Sequence, residues 1–155
     1  METLDVVLAR HEFFRGLKPE YLAFIAGCAR HSHATAGQYL FREGDEADRF
    51  FAVRKGTVAL ETFIPQRGAV TVQTVAEGDI LGWSWLFPPY RWQFDARARE
   101  DVSLTVFDGA CLRQKCETDP ALGYELMKRL AHVVSERFES ARIQLLDIYG
   151  AAARS

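Results

Sequence analysis

The stretch GQYLFREGDEADRFFAVRKGTVAL, residues 37–60, alternates short apolar runs with turn residues. Gly44 and Gly56 separate the runs, at positions where a tight turn favours a residue without a Cβ. Phe51 and Val53 fall on one face of the central run, because alternate side chains of a strand point to the same side. The pattern therefore predicts consecutive antiparallel strands in this part of the chain.

The same pattern extends over residues 34–108. Further apolar runs, written TVALETFI, VTVQTVA, DILGW and SLTVF, are separated by polar or glycine-containing turns. Short strands at regular spacing are typical of a small antiparallel barrel or sandwich.

Helical segments are predicted on both sides of this region, over residues 1–33 and 109–150. After Pro120, apolar residues recur every three or four positions and predict one long amphipathic helix that is ended by Gly150. Its apolar stripe is longer than one small barrel can cover, which favours a coiled coil between two copies; folding back over the barrel is the alternative. The predicted pairing residues are Leu130, Val134, Phe138, Ala141, Leu145 and Ile148.

The composition is that of an ordinary globular domain. The 155 residues are 48% hydrophobic and 26% charged, enough to bury a core in a single domain. The net charge of -2 gives no general attraction to nucleic acid or to an anionic membrane. There is no apolar run of membrane-spanning length and no signal-peptide order at the N-terminus, so we expect a cytoplasmic protein.

Neither a catalytic nor a metal-binding signature is present, so we expect a protein that is not an enzyme and holds no metal. Cys28, Cys111 and Cys116 are odd in number and accompany no export signal, which predicts buried free thiols rather than disulfides. His31 and His33 share one face if their segment is extended, but a metal site would need a third ligand.

Residues 37–60 resemble the front half of the cyclic nucleotide-binding domain of catabolite activator proteins, cyclic nucleotide-dependent kinases and gated channels. AEGDILGW, residues 76–83, resembles the strand and loop that lead into the phosphate-binding cassette of that family. The resemblance implies a single α+β domain over residues 1–155 that is mainly β. It would be a double-stranded β-helix, or jelly roll, with N-terminal helices and a long C-terminal helix. The matching residues are Gly37, Leu40, Phe41, Glu43, Gly44, Asp45, Ala47, Asp48, Phe50, Phe51, Val53, Gly56 and Val58.

The cassette itself departs from the family pattern. The family has a glutamate after the glycine, which binds the ribose hydroxyl, and an arginine about ten residues later, which binds the cyclic phosphate. Here Trp83 follows Gly82, Trp92 occupies the arginine position, and Arg91 comes one residue early. Loss of both charged contacts predicts that cyclic AMP or cyclic GMP does not bind tightly in the usual pose.

Three interpretations of this loop remain open. The aromatic side chains fill the space of a nucleotide, or they line a pocket for a flat ligand, or a nucleotide binds in an altered pose through Arg91. The candidate ligand-binding residues are Gly82, Trp83, Ser84, Trp85, Leu86, Arg91, Trp92 and Gln93. Cyclic nucleotide is the candidate ligand, and no other cofactor is predicted.

These patterns together predict a dimeric regulatory module that senses a small molecule and passes the change to a protein partner. The sequence stops soon after the long helix and has no basic recognition helix, so we expect no direct DNA binding. The competing hypothesis is an interaction protein that binds no ligand, in which the tryptophans close the pocket.

Overall fold

The computed structural model describes residues 2–154. Its strands are β1 Ala29–Ala34, β2 Tyr39–Phe41, β3 Arg49–Lys55, β4 Val58–Ile64, β5 Gly68–Val75, β6 Ile80–Leu81, β7 Asp95–Ala98 and β8 Val102–Asp108. Its helices are α1 Leu4–Arg10, α2 Pro19–Ala26, α3 Gly109–Thr118 and α4 Pro120–Arg154, with a 3-10 turn at Ser84–Leu86.

The strands form two four-stranded antiparallel sheets, ordered β1-β8-β3-β6 and β2-β7-β4-β5. Apart from the β4–β5 hairpin, consecutive strands alternate between the sheets, as in a jelly roll, and the predicted fold class is confirmed. Strand β3 separates two cores, as its alternation predicts. Phe51 and Val53 point into the roll interior, whereas Phe50 and Ala52 point to the layer that the helices cover.

Helix α4 has two parts with different surroundings. Leu122, Leu126 and Leu130 are buried against the rest of the chain, whereas Val134 and the large apolar residues of the later turns are exposed. The predicted end of the helix at Gly150 was wrong, since α4 continues to Arg154. One glycine costs a helix only about 1 kcal/mol relative to alanine, and the alanines that follow it are the best helix formers.

The first strand begins before the predicted boundary at residue 34. Strand β1 starts at Ala29 and pairs with β8 over its whole length, from Ala29 opposite Phe107 to Ala34 opposite Val102. Most of its side chains are at least partly exposed, because β1 is an edge strand with one face towards solvent. Its sequence, ARHSHA, therefore lacks the apolar alternation by which the other strands were predicted.

Cys28 and Cys111 form a disulfide, so the prediction of free thiols was wrong for these two residues. The turn between α2 and β1 lies beside the first turn of α3, with the two Cα atoms 5.7 Å apart. The backbone N–H of Asp108 donates to the carbonyl of Cys28, which fixes this contact. A count of cysteines contains no information on such proximity. Cys116 is free, as predicted.

None of the helices described within residues 2–154 is long and apolar enough to cross a membrane.

Candidate functional site

Residues 82–93, in the segment that joins β6 to β7, are here called the tryptophan loop. It contains all three tryptophans of the chain, the 3-10 turn at Ser84–Leu86 and a cis peptide bond between Pro88 and Pro89. Its three indole rings enter three different environments.

Trp92 lies inside the roll and is 1% exposed. Its ring is stacked on that of Phe41, with centres 3.7 Å and planes 9° apart. Its backbone N–H donates to the carbonyl of Asp45, and its own carbonyl accepts from the N–H of Gly44, at 3.0 and 2.8 Å. A Cβ at Gly82 would overlap the indole, so the loop needs glycine there. The roll interior is therefore filled from within by Trp92.

Trp85 lies on the other side of β3, in the core beneath the helices. It is 1% exposed, and its ring centre is 5.3 Å from that of Phe50. The guanidinium of Arg113, on α3, donates to the carbonyl of Trp85 and lies 4.4 Å from the ring centre of Tyr90. Helix α3 thus holds the tryptophan loop at two points.

Trp83, the residue at the glutamate position of the family pattern, contacts α4 and is partly exposed. The guanidinium of Arg137 lies 5.4 Å from its ring centre and donates to the carbonyl of Ile80. Burial lowers the pKa of Arg137, although the nearby carboxylate of Asp79 opposes the shift. This arginine connects α4 both to β6 and to the start of the loop.

A groove of about 500 Å³ lies between part of the tryptophan loop and α4. Its volume lies within the range of small-molecule sites, and its walls are almost entirely apolar. We call it the helix groove; its lining residues are Trp83, Leu86, Phe87, Met127, Leu130, Ala131, Val134, Ser135 and Phe138.

The candidate ligand-binding residues do not converge on one pocket. Gly82, Trp85 and Trp92 are buried in the two cores, whereas Trp83 and Leu86 line the helix groove. The remaining three are polar: Arg91 and Gln93 are exposed and Ser84 is partly exposed.

Arg91 lies at the rim of the roll. Its backbone forms an isolated antiparallel β-bridge with that of Glu46, and its Nη1 atom is 3.5 Å from the carbonyl oxygen of Gly44. Its guanidinium is therefore engaged at the surface, on the outside of the segment that Trp92 anchors.

The predicted pairing residues of α4 separate into two groups. Leu130 is 5% exposed and belongs to the core of its own chain. The other five are exposed and are spaced by four, three, four and three residues, the heptad spacing of a coiled coil. We call these five the pairing stripe: Val134, Phe138, Ala141, Leu145 and Ile148.

Several residues of this site were not predicted from the sequence. Met127, Ala131 and Ser135 line the helix groove from α4. Met127 and Ala131 follow the same helical spacing as the predicted pairing residues, and this spacing is the signal that could have identified them. Arg137 had none, because a charged residue in an amphipathic helix is normally solvated.

The two histidines of β1 have no third potential metal ligand beside them among the described residues. They are not fully buried, and Nδ1 of His33 lies 3.4 Å from the hydroxyl of Ser103. No group of three or more histidine, cysteine, aspartate or glutamate side chains within residues 2–154 could hold an ion.

Comparison with known proteins agrees with this architecture. The family model of the cyclic nucleotide-binding domain matches residues 31–119 of the sequence. A solved structure of a cyclic nucleotide-binding protein from Geobacter metallireducens is 32% identical, with a TM-score of 0.76, and the alignment covers 89% of this chain and 99% of that one. A cyclic nucleotide-binding domain from Methylobacillus flagellatus is 21% identical with a TM-score of 0.78, covering 94% of this chain and 82% of that one, and shares the fold.

A curated relative from Mycobacterium tuberculosis is described as a CRP-like cAMP-activated global transcriptional regulator. It is 23% identical over 145 residues, which are 94% of this chain and 63% of the relative. The chain thus spans less than two thirds of that protein's length. The family match covers more than half of the chain, and the chain belongs to the cyclic nucleotide-binding domain family.

Proposed function

We propose that this chain is a dimeric, non-enzymatic regulatory module that responds to a small apolar ligand at the helix groove. The roll interior would not take a cyclic nucleotide in the family's usual pose. The observation that carries the proposal is the position of Trp92, stacked on Phe41 inside the roll where the resemblance places the phosphate-binding arginine.

The contacts of Trp92 support this interpretation. A nucleotide in the interior would have to displace the indole of Trp92, which is stacked on Phe41. The backbone of Trp92 is itself fixed by two hydrogen bonds to the segment Gly44–Asp45. No guanidinium of the tryptophan loop would replace the lost phosphate contact, since that of Arg91 lies at the Gly44 carbonyl. A charged hydrogen bond lost in this way costs about 1.5–3 kcal/mol, or roughly one to two powers of ten in affinity.

The helix groove is the better candidate for a ligand. Its volume of about 500 Å³ suits a small molecule, and its walls offer few polar groups, among them the hydroxyl of Ser135. We therefore expect an uncharged or weakly polar aromatic compound rather than a nucleotide.

The groove and the pairing stripe share Val134 and Phe138. A second copy docked on the stripe would therefore contact the edge of the groove, and a ligand in the groove would change the surface that the second copy meets. Such differential contact is what allows a ligand to shift an equilibrium between two states. A protein partner would then recognise the altered dimer.

The experiment is a titration of the purified chain with cyclic AMP, cyclic GMP and an apolar fluorescent probe, anilinonaphthalene sulfonate. In titration calorimetry we expect no saturable heat of binding from either nucleotide up to millimolar concentration. In a fluorescence titration we expect the probe to bind saturably. Ala131→Trp, which fills the groove, should abolish probe binding. Ser140→Trp is the matched control, because residue 140 is exposed on α4 and does not line the groove.

Two results would redirect the proposal. Micromolar nucleotide binding that Arg91→Ala abolishes would favour the altered nucleotide pose. A probe signal that is absent in the dimer and appears only in monomeric variants would favour the ligand-free interaction module, with the groove covered by the second copy.

A further inference from the structure

We infer that Cys28 and Cys111 are a redox-active pair through which small thiols and disulfides of the glutathione type control the tryptophan loop. This regulation acts on the loop itself and does not require a ligand in the helix groove. It can therefore be tested whether or not the proposed function holds.

The pair joins two segments that are far apart in sequence. The disulfide links the turn between α2 and β1 to the first turn of α3, across a separation of 83 residues. Cys28 is 8% exposed, whereas Cys111 is more accessible to solvent. We therefore take Cys111 as the cysteine that a small thiol attacks first.

An open cleft lies beside Cys28, the partner of Cys111 in the disulfide; Cys111 itself is not among its lining residues. The cleft has a volume of about 390 Å³, and its lining includes Cys28 itself together with Arg30 and Arg49. Asp48 and Asp108 are its acidic members. A glutathione-type molecule carries carboxylates as well as an ammonium group. The arginines of the cleft can pair with the carboxylates, and its aspartates can pair with the ammonium group.

Helix α3 transmits a change at the pair to the tryptophan loop. Arg113, two residues after Cys111, binds the Trp85 carbonyl and the face of Tyr90. Gly109, two residues before Cys111, is packed so closely that a Cβ there would lie 3.2 Å from the Cβ of Trp85. Release of α3 from α2 would loosen both contacts.

The reaction balances as ordinary thiol–disulfide exchange. The thiolate of a small thiol attacks Sγ of Cys111, forms a mixed disulfide and displaces Cys28 as a thiolate, which takes up a proton. A second small thiolate then attacks the small-molecule sulfur of the mixed disulfide and releases Cys111 as a thiol after protonation. The pair is reduced by two electrons, and two small thiols are oxidised to one small disulfide.

The setting favours a switch over a permanent staple. In a reducing compartment, disulfides are usually transient and catalytic or redox-sensing. The sequence predicts a cytoplasmic protein. The disulfide is formed by a residue of α3, and α3 holds the tryptophan loop, where this chain departs from the family pattern.

The test equilibrates the purified full chain in buffers of increasing ratio of reduced to oxidised glutathione. Thiols are counted by alkylation and mass spectrometry, and tryptophan emission is read in the same samples. We expect Cys28 and Cys111 to become alkylated together, with a change in emission at the same midpoint. All three tryptophans are in the loop, so emission reports on the loop directly.

Two variants make the result specific. Cys116→Ser should keep the transition, because burial raises the pKa of Cys116 to about 11 and it is not bonded to the pair. The double variant Cys28→Ser, Cys111→Ser should show one constant emission spectrum at every ratio.

Three results would overturn the inference. If the thiols titrate while emission stays constant, the pair is not coupled to the loop. If the bond resists reduction until the chain unfolds, it is a structural staple. If both thiols are free at every ratio, no pair forms.

Discussion

The indole ring of Trp92 lies parallel to the phenyl ring of Phe41, with the ring centres 3.7 Å apart. Phe41 belongs to β2 and Trp92 is near the end of the tryptophan loop, so the stack joins the loop to the sheet that contains β2 and β7. In a core at crystal-like packing density, this pair leaves no room for a second flat ring at the same place. The stack therefore determines both the stability of the roll and what can enter it.

Replacing Trp92 by alanine should lower the free energy of unfolding by about 3–5 kcal/mol, because it removes a fully buried aromatic side chain and leaves a cavity. Urea denaturation of the two proteins measures the difference. Trp92→Phe, which keeps one ring on Phe41, should recover part of the loss.

Trp83→Ala is the matched control, since the same side chain is removed from a partly exposed site against α4. Its loss should be clearly smaller. If the two alanine variants lose the same free energy of unfolding, the interior stack contributes no more to stability than the contacts of Trp83 do.

The sequence was sufficient for most strands of the two sheets, though not for the start of β1, because strand alternation is a strong local signal. Alternation alone assigns Phe50 and Phe51 to opposite faces of β3, and the two cores confirm this. The loop was different. Trp83, Trp85 and Trp92 have no periodicity in common, so only the three-dimensional path of the chain reveals that each enters another environment.

The helix shows a second limit of sequence reasoning. Leu130 and Val134 are consecutive members of the predicted apolar stripe. Leu130 is nevertheless buried in its own chain, whereas Val134 is exposed. The difference depends on where the roll ends along α4, which is a tertiary fact. The Cys28–Cys111 bond was missed for a similar reason, because proximity across 83 residues leaves no local pattern.

The pairing stripe predicts a dimer that depends on the exposed half of α4. Leu145 and Ile148 are 52% and 65% exposed in the single chain, which is unfavourable for large apolar residues unless a partner covers them. Leu145→Glu with Ile148→Glu should therefore give monomers. Sedimentation velocity of the purified chain measures the change.

Ile143→Glu provides the control for this experiment. Ile143 is 54% exposed on the same helix, but at 3.6 residues per turn it lies on the side opposite the stripe. The control should remain dimeric. A wild-type monomer, or a dimer that survives the double substitution, would contradict pairing through the stripe.

Arg137 should connect α4 to the tryptophan loop energetically as well as geometrically. Arg137→Ala removes the hydrogen bond to the Ile80 carbonyl and the contact with the Trp83 ring. We expect a loss of about 1.5–3 kcal/mol in the free energy of unfolding, the range for hydrogen bonds to charged groups, and a change in tryptophan emission.

Arg142→Ala separates this effect from the loss of a positive charge on α4. Arg142 is exposed and pairs with Glu139 on the same helix, with 2.9 Å between Nη2 and Oε2. Such pairs contribute about 0.2–0.5 kcal/mol. A loss for Arg137→Ala that is no larger than this would show that α4 and the loop are not coupled through the arginine.

His11 gives the protein a defined response to pH. Its Nε2 lies 2.9 Å from the carbonyl oxygen of Val53, and its Nδ1 accepts the backbone N–H of Phe13 at 3.1 Å. One nitrogen donates and the other accepts, so the ring fits its site in the neutral form. Burial lowers the pKa of His11 below 6.5, although the Val53 carbonyl and the carboxylate of Asp79 oppose the shift.

The sign of the effect follows from proton linkage. Below about pH 6.5 the unfolded chain binds a proton at His11 more readily than the folded chain does, so stability falls as pH decreases towards the lower folded pKa. Above that window the contribution is constant. Melting temperatures between about pH 8 and pH 5 should therefore fall more steeply for the wild type than for His11→Gln, which keeps a neutral donor. Parallel curves for the wild type and His11→Gln would show that His11 does not control this dependence.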